Sequence, residues 1–158
     1  MKNDLNKIRI AVVGCGRISN NHFKSIKEHK DNIKLVAICD NDQSTLSKFK
    51  TKFKVNTYNS LDLLLKNEKL NVVALCTPSG IHSSQAQLCA KYGVSVITEK
   101  PMATNWKDGL KMVRACNEAG VNLFVVKQNR NNPTLQLLKR AIDENRDQSY
   151  FLFNTTRE

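Results

Sequence analysis

The sequence predicts an α/β fold, a doubly wound parallel sheet with helices on both faces. Three observations predict it. Short apolar runs recur along the chain, amphipathic stretches of helical period separate them, and the first run stops abruptly at Gly14-Cys15-Gly16. Continuous apolar runs mark strands buried on both faces. The stretches between them supply the long crossovers that parallel strands require.

Taken in order, Ile8–Val13 is the first strand, and Ile18, His22, Phe23 and Ile26 then recur at helical spacing. Ile33–Cys39 is the second strand, Gln43–Phe53 a helix and Val55–Tyr58 a short extended element. A helix over Leu61–Leu65 leads to a strand at Val72–Cys76, and a helix over Ile81–Tyr92 to a strand at Val94–Thr98. The helix over Trp106–Ala119 is marked on one face by Trp106, Leu110, Val113, Ala115 and Cys116, and Leu123–Val126 is the last strand of the series. Gly93 and Gly120 stand just past helices, where a left-handed residue closes the last turn.

The pattern changes after Gln128. Asn129-Arg130-Asn131-Asn132-Pro133 is a polar break, and Pro133 suits the first turn of a helix over Thr134–Glu144, with Leu135, Leu138 and Ile142 on one face. Tyr150-Phe151-Leu152-Phe153 is β-prone. The expected organisation is one domain over 1–128, then, over 129–158, the start of a truncated second α+β domain. An unpaired strand at Tyr150–Phe153 predicts self-association.

Strand, glycine turn and helix together hold a dinucleotide's pyrophosphate, which makes the predicted sheet Rossmann-type. Gly14 permits the tight turn, Gly16 lets the backbone approach phosphate, and the helix start offers unpaired N–H groups at the positive end of its dipole. Ser19 stands at the third position of the fingerprint, where the strict pattern has glycine; a small residue still allows close packing. Asp40 ends the second strand, 24 residues after Gly16. A carboxylate there grips the adenosine ribose hydroxyls and repels a 2′-phosphate, so NAD is favoured over NADP. The competing reading of Asp40 is a cap or solvated turn before Gln43.

Composition narrows the class. Hydrophobic residues make up 41% of 158 and the mean hydropathy is −0.43, as in a globular chain with a sizeable core. No apolar run approaches the roughly 18 residues of a membrane span. The basic N-terminus leads into an apolar run too short for a signal peptide, and it reads as strand one. The net charge of +11 raises nucleic acid as a partner. The basic residues are spread along the chain, however, and aromatics reach only 6% with no basic–aromatic stripe, which favours a solvated lysine-rich surface. The five cysteines (15, 39, 76, 89 and 116) form no Cys-x-x-Cys pair. They read as free thiols in a reducing compartment, so a cytoplasmic location and no bound metal are expected. Cys15 reads as a small residue tolerated in the glycine loop rather than a nucleophile.

Three further clusters lie at the C-terminal ends of predicted strands, where ligands bind in open α/β sheets. They are Cys76-Thr77-Pro78-Ser79-Gly80-Ile81-His82, Thr98-Glu99-Lys100-Pro101-Met102-Ala103 and Val126-Lys127-Gln128-Asn129-Arg130-Asn131. Each alone is compatible with an ordinary turn or surface loop, and His82 with a surface helix position.

Together with the glycine turn, the Thr-Pro and Glu-Lys-Pro motifs resemble the Gfo/Idh/MocA family of oxidoreductases. The run from Thr98 to Ile142 resembles one branch in particular, the UDP-N-acetyl-2-amino-2-deoxyglucuronate dehydrogenases. These oxidise C3 of a UDP-linked N-acetylated sugar acid for bacterial surface polysaccharide, including lipopolysaccharide. The resemblance implies that Gly14, Cys15, Gly16, Arg17 and Ile18 hold the pyrophosphate. It places Thr77, Pro78 and His82 along the nicotinamide half of the cleft and Glu99 at the nicotinamide ribose. Lys100 becomes the catalytic lysine, contacting the substrate hydroxyl. Gln128, Asn129 and Arg130 face substrate or nicotinamide, with Arg130 suited to a carboxylate through its fork geometry. NAD is the implied cofactor, and a homo-oligomer or a separate second-domain chain the implied partner. Family members are longer, with a second half carrying a histidine that works with the lysine; here no histidine follows His82. A non-catalytic NAD-binding module and a basic nucleic-acid-binding protein remain the competing readings.

Overall fold

The computed structural model describes residues 6–144. The Tyr150–Phe153 run and the end of the expected second domain lie outside the described residues. Six strands form one parallel sheet in the order β3-β2-β1-β4-β5-β6. They are β1 (Ile8–Val13), β2 (Ile33–Cys39), β3 (Asn56–Tyr58), β4 (Val72–Leu75), β5 (Ser95–Thr98) and β6 (Leu123–Val125). The helices are α1 (Ser19–Glu28), α2 (Gln43–Phe53), α3 (Leu61–Asn67), α4 (His82–Lys91), α5 (Trp106–Glu118) and α6 (Pro133–Asp143). A 3₁₀ turn at Ser79–Ile81 precedes α4, and another at Gln128–Asn131 precedes α6.

Side chains of successive strand residues point to opposite faces, so each strand feeds two cores. Ile10 and Val12 of β1 join Phe23, Ile26, Ile38, Leu46 and Ala74 under α1 and α2. Ala11 and Val13 join Leu64, Val73, Ala86, Val96 and Met112 under α3, α4 and α5. Ile38 and Leu75 are fully buried, and each such side chain contributes about 2 kcal/mol of transfer free energy. The doubly wound parallel sheet is therefore as the sequence predicts, because β1, β2 and β4 are apolar on both faces.

The face of α5 differs from expectation. Gly109, Met112 and Cys116 are its buried residues, while Trp106 is 78% exposed and Val113 is exposed too. Trp106 and Val113 are larger and more apolar than Gly109. Close packing chose the small residue instead: a Cβ on Gly109 would lie 3.2 Å from the Met102 Cε. Gly93 and Gly120 do close α4 and α5, with φ of +69° and +65°.

The chain divides into two compact units, the first ending at Val126 and the second beginning at Lys127. In the second, α6 starts with Pro133 in its first turn and is capped by Asn132, whose side chain accepts from the Thr134 N–H at 2.9 Å. None of its described residues is buried.

Candidate functional site

Strand order reverses beside β1: the chain moves outward to β2 and β3, then returns to β4 on the other side. Crossovers leaving β1 and β4 in opposite directions part the loops at their C-terminal ends, and the crevice between them is where such sheets bind ligands. A cleft of about 570 Å³ opens there, lined by Gly14, Gly16, Asp40, Asn41, Asn59, Ser60, Thr77, Pro78, Ile81 and Gln85 among others.

The two glycines of the turn do different jobs. Gly14 has φ +86°, and a Cβ on it would lie 2.8 Å from the Cys76 carbonyl carbon and the Thr77 nitrogen. Its N–H donates to the Cys39 carbonyl at 2.8 Å, tying the turn to β2. Gly14 is thus required by the chain's own packing. A Cβ on Gly16 would meet nothing within 4 Å, although Gly16 lines the cleft. Open space at the second glycine is what a closely approaching ligand needs. Ser19 is fully buried, and its hydroxyl donates to the Gly16 carbonyl at 2.6 Å. The serine that departs from the strict fingerprint therefore braces the turn.

Helix starts make the same distinction. Helices α2, α3, α5 and α6 begin with side-chain caps from Asp42, Ser60, Asn105 and Asn132. Helices α1 and α4, which follow the two strands flanking the crevice, have no side-chain cap. No side chain covers the positive dipole end of these two starts, although the Ser19, Asn20 and Asn21 N–H groups are taken by the Gly16, Arg17 and Ile18 carbonyls and the His82 N–H by the Ser79 carbonyl. No backbone acceptor is found for the Gly16, Arg17 and Ile18 N–H groups among the described residues. These features fit a dinucleotide's pyrophosphate.

Asp40 faces the same turn. Its Oδ2 accepts from the Cys15 N–H at 2.6 Å and its Oδ1 from the Asp42 N–H at 2.9 Å. The cap of α2 is Asp42, not Asp40. Hydrogen bonds from Thr45, then Ser44, hold the Asp42 carboxyl down at about 2. Each Asp40 oxygen retains acceptor capacity beyond its one backbone bond, enough for a ribose hydroxyl. The Cys15 thiol is pushed up to about 12, first by burial, then by the charge of Asp40 and by Cys39. It is a protonated, inert filler at neutral pH.

At the ends of β4 and β5, the motif residues divide between cleft and core. Thr77 and Pro78 line the cleft, and the Thr77 hydroxyl donates to Gln85 Oε1 at 2.6 Å. His82 is not a surface residue; it is 1% exposed. Its Nε2 lies 2.8 Å from the Thr77 carbonyl and its Nδ1 3.1 Å from the Thr98 hydroxyl. Nδ1 also lies 3.2 Å from the Pro101 carbonyl. Glu99 is 8% exposed, and its Oε1 accepts from His22 Nε2 at 2.9 Å. Lys100 is exposed and precedes a cis peptide to Pro101.

Gly14, Gly16, Asp40, Thr77 and Pro78 are thus brought together on one cleft, while His82 and Glu99 are buried and are not among its lining residues. Gln128, Asn129 and Arg130 belong to the second unit, as an exposed 3₁₀ turn whose Arg130 N–H donates to the Lys127 carbonyl at 3.0 Å. Sequence reasoning missed His22 and Gln85. His22 sits among the apolar positions of α1, and a histidine on such a face is a signal that a polar partner is near. Gln85 lies two turns into the uncapped sequence after Thr-Pro, where nothing in the spacing marks it. Among the described residues, no group of histidine, cysteine or acidic side chains is placed to hold a metal ion, and no helix is long and apolar enough to cross a membrane.

Comparison with known proteins gives the same picture. Residues 8–127 match the oxidoreductase family with an NAD-binding Rossmann fold, Gfo/Idh/MocA. The WlbA dehydrogenase of Bordetella pertussis, solved with NADH and UDP-GlcNAcA, is 49% identical, with a TM-score of 0.87 over 89% of this chain and 43% of its own. The D-apiose dehydrogenase of Paraburkholderia graminis is 35% identical over 84% of this chain and 35% of its own length. The myo-inositol 2-dehydrogenase of Thermotoga maritima is 31% identical over 86% of this chain and 41% of its own. The chain spans roughly two fifths of the length of these relatives.

Proposed function

The chain belongs to the Gfo/Idh/MocA family of oxidoreductases, and from that membership we propose that it holds NAD for oxidation of the C3 hydroxyl of a UDP-linked N-acetylglucosaminuronate. The product class is a precursor sugar for bacterial surface polysaccharide, and the setting the cytoplasm. NAD binding rests on one observation above the others: the cleft has open space at Gly16 beside two uncapped helix starts. The choice of sugar nucleotide is supported by the 49% identity to a dehydrogenase solved with NADH and UDP-GlcNAcA; other relatives act on different sugars and polyols.

When bound, NAD supplies a hydride acceptor. The chain's own residues do the rest. The Gly14–Ile18 turn binds the pyrophosphate through the backbone N–H groups of Gly16, Arg17 and Ile18, those of Gly14 and Cys15 being taken by Cys39 and Asp40. Asp40 accepts from the adenosine ribose hydroxyls and disfavours a 2′-phosphate. Thr77 and Pro78 line the nicotinamide half, with His82 supporting them from behind. Glu99 serves the nicotinamide ribose. Lys100 takes the proton from the sugar hydroxyl and stabilises the developing alkoxide charge. Gln128, Asn129 and Arg130 are assigned to substrate, Arg130 through a carboxylate. A homo-oligomer, or pairing with a chain that carries a second domain, belongs to the same reading.

The test is to incubate the chain with NAD and UDP-GlcNAcA and follow NADH formation. Turnover abolished by Lys100→Met supports the reading. NADH binding without turnover, under any addition of a second-domain chain, points instead to a non-catalytic NAD-binding module.

A further inference from the structure

The turn that carries Lys100 has no regular structure of its own; β5 ends at Thr98 and α5 begins at Trp106. It is held from both faces of the sheet. On the α4 face, His82 bonds Thr98 and lies against the Pro101 carbonyl. On the α1 face, His22 bonds Glu99. Side chains of Thr98 and Glu99 alternate across the strand, so the two histidines act from opposite sides on adjacent residues. Backbone bonds add a third tie, the Glu99 N–H donating to the Leu75 carbonyl at 3.2 Å.

We propose that His22 is a positioning residue, which holds the Glu99 carboxylate as its own partner and so sets the surroundings of the amino group on the adjacent Lys100. The inference rests on the reading of Lys100 as the reacting lysine only for its functional meaning; the geometry stands apart from it. The side chains of His22 and Glu99 are 14% and 10% exposed. A carboxylate this sheltered needs a partner. Among the described residues its side-chain hydrogen bond is to His22. Remove the imidazole, and the carboxylate is left to take solvent or the adjacent Lys100 as its partner. A cation–carboxylate contact there ties up the amine that is meant to face the hydroxyl.

His22 lies on the helix that follows the glycine turn, three residues after the brace of Ser19. One helix therefore carries the uncapped start at the pyrophosphate end and the tie to the reacting end.

Competitive acetylation of the intact chain, read per lysine by mass spectrometry, tests this. Lys24 on the same helix, with a side chain 78% exposed, serves as the internal reference. In His22→Phe the rate at Lys100 relative to Lys24 is expected to fall at least about threefold, and His22→Gln, which keeps a donor near the Nε2 position, restores it. Adding Glu99→Gln to His22→Phe should abolish the effect, because no carboxylate remains to be released. Should His22→Phe fail to fold, His22→Asn, whose amide stops short of Glu99, takes its place. An unchanged Lys100 rate in a folded His22 variant overturns the proposal, as does an equal effect with and without Glu99→Gln. Neither cofactor nor sugar enters the experiment. Failure of the dehydrogenase reading thus shows only in the turnover assay, and failure of the His22 role only here.

Discussion

The turn after β1 and the turn after β5 sit at the same edge of one sheet, yet they are built by different means. The first is made of backbone. Gly14 has no room for a Cβ, its N–H is tied to Cys39, and the amides of Gly16 to Ile18 have no backbone acceptor among the described residues. The second is made of side-chain contacts, with His22 and His82 holding the segment that carries Lys100. Backbone-built sites come with the fold. Side-chain-built sites depend on residues that meet only after folding, and they are where a family can change its chemistry while keeping its cofactor.

Substitutions at the two glycines break the comparison most sharply. Gly14→Ala places a Cβ 2.8 Å from backbone atoms of Cys76 and Thr77 at a φ of +86°. Strain and overpacking together should cost about 3 kcal/mol, visible as a large drop in the denaturant midpoint and with it loss of NADH binding. Gly16→Ala meets no atom of the chain. Its stability should change by less than about 1 kcal/mol, while NADH affinity falls at least about tenfold as the methyl group meets the phosphate. Equal losses of stability in the two variants would contradict the division between a packing glycine and a ligand glycine.

How much of this was legible follows the same division. Gly14, Gly16 and Asp40 were readable because strand, turn and strand end are close in sequence and their geometry follows from the backbone. The parallel sheet was readable because β1, β2 and β4 are apolar on both faces. The buried face of α5 was misread: Trp106 and Val113 are the conspicuous apolar residues, but Gly109 is the one that lets the helix approach Met102. The His22–Glu99 bond joins residues 77 apart in sequence, and no local pattern announces it. His82 was seen as a motif residue, but its burial was not, because two of its three partners, Thr98 and Pro101, come from the distant segment at the end of β5.

A smaller effect sharpens the contrast between the turn and its inert filler. Burial raises Cys15, Cys39, Cys76 and Cys89 to about 12, with the charge of Asp40 or Glu99 adding at the first three. The native state keeps these thiols protonated where the unfolded chain releases its protons. Stability is therefore unaffected by them below pH ~9 and falls as the pH rises from there toward about 12. Thiol-reagent titration of the native chain at pH ~8 should label them slowly, and denaturant should expose all five. Rapid labelling of Cys15 in the native chain would place a reactive thiolate in the glycine turn, against its role as filler.

The most direct test of the central claim is a fluorescence titration of the chain with NADH, with NADPH as the control. The backbone-built turn and Asp40 predict saturable NADH binding and at least about tenfold weaker NADPH binding, both lost together in Gly16→Ala. A folded chain that binds neither nucleotide, or binds both equally with Gly16→Ala unchanged, would contradict the account.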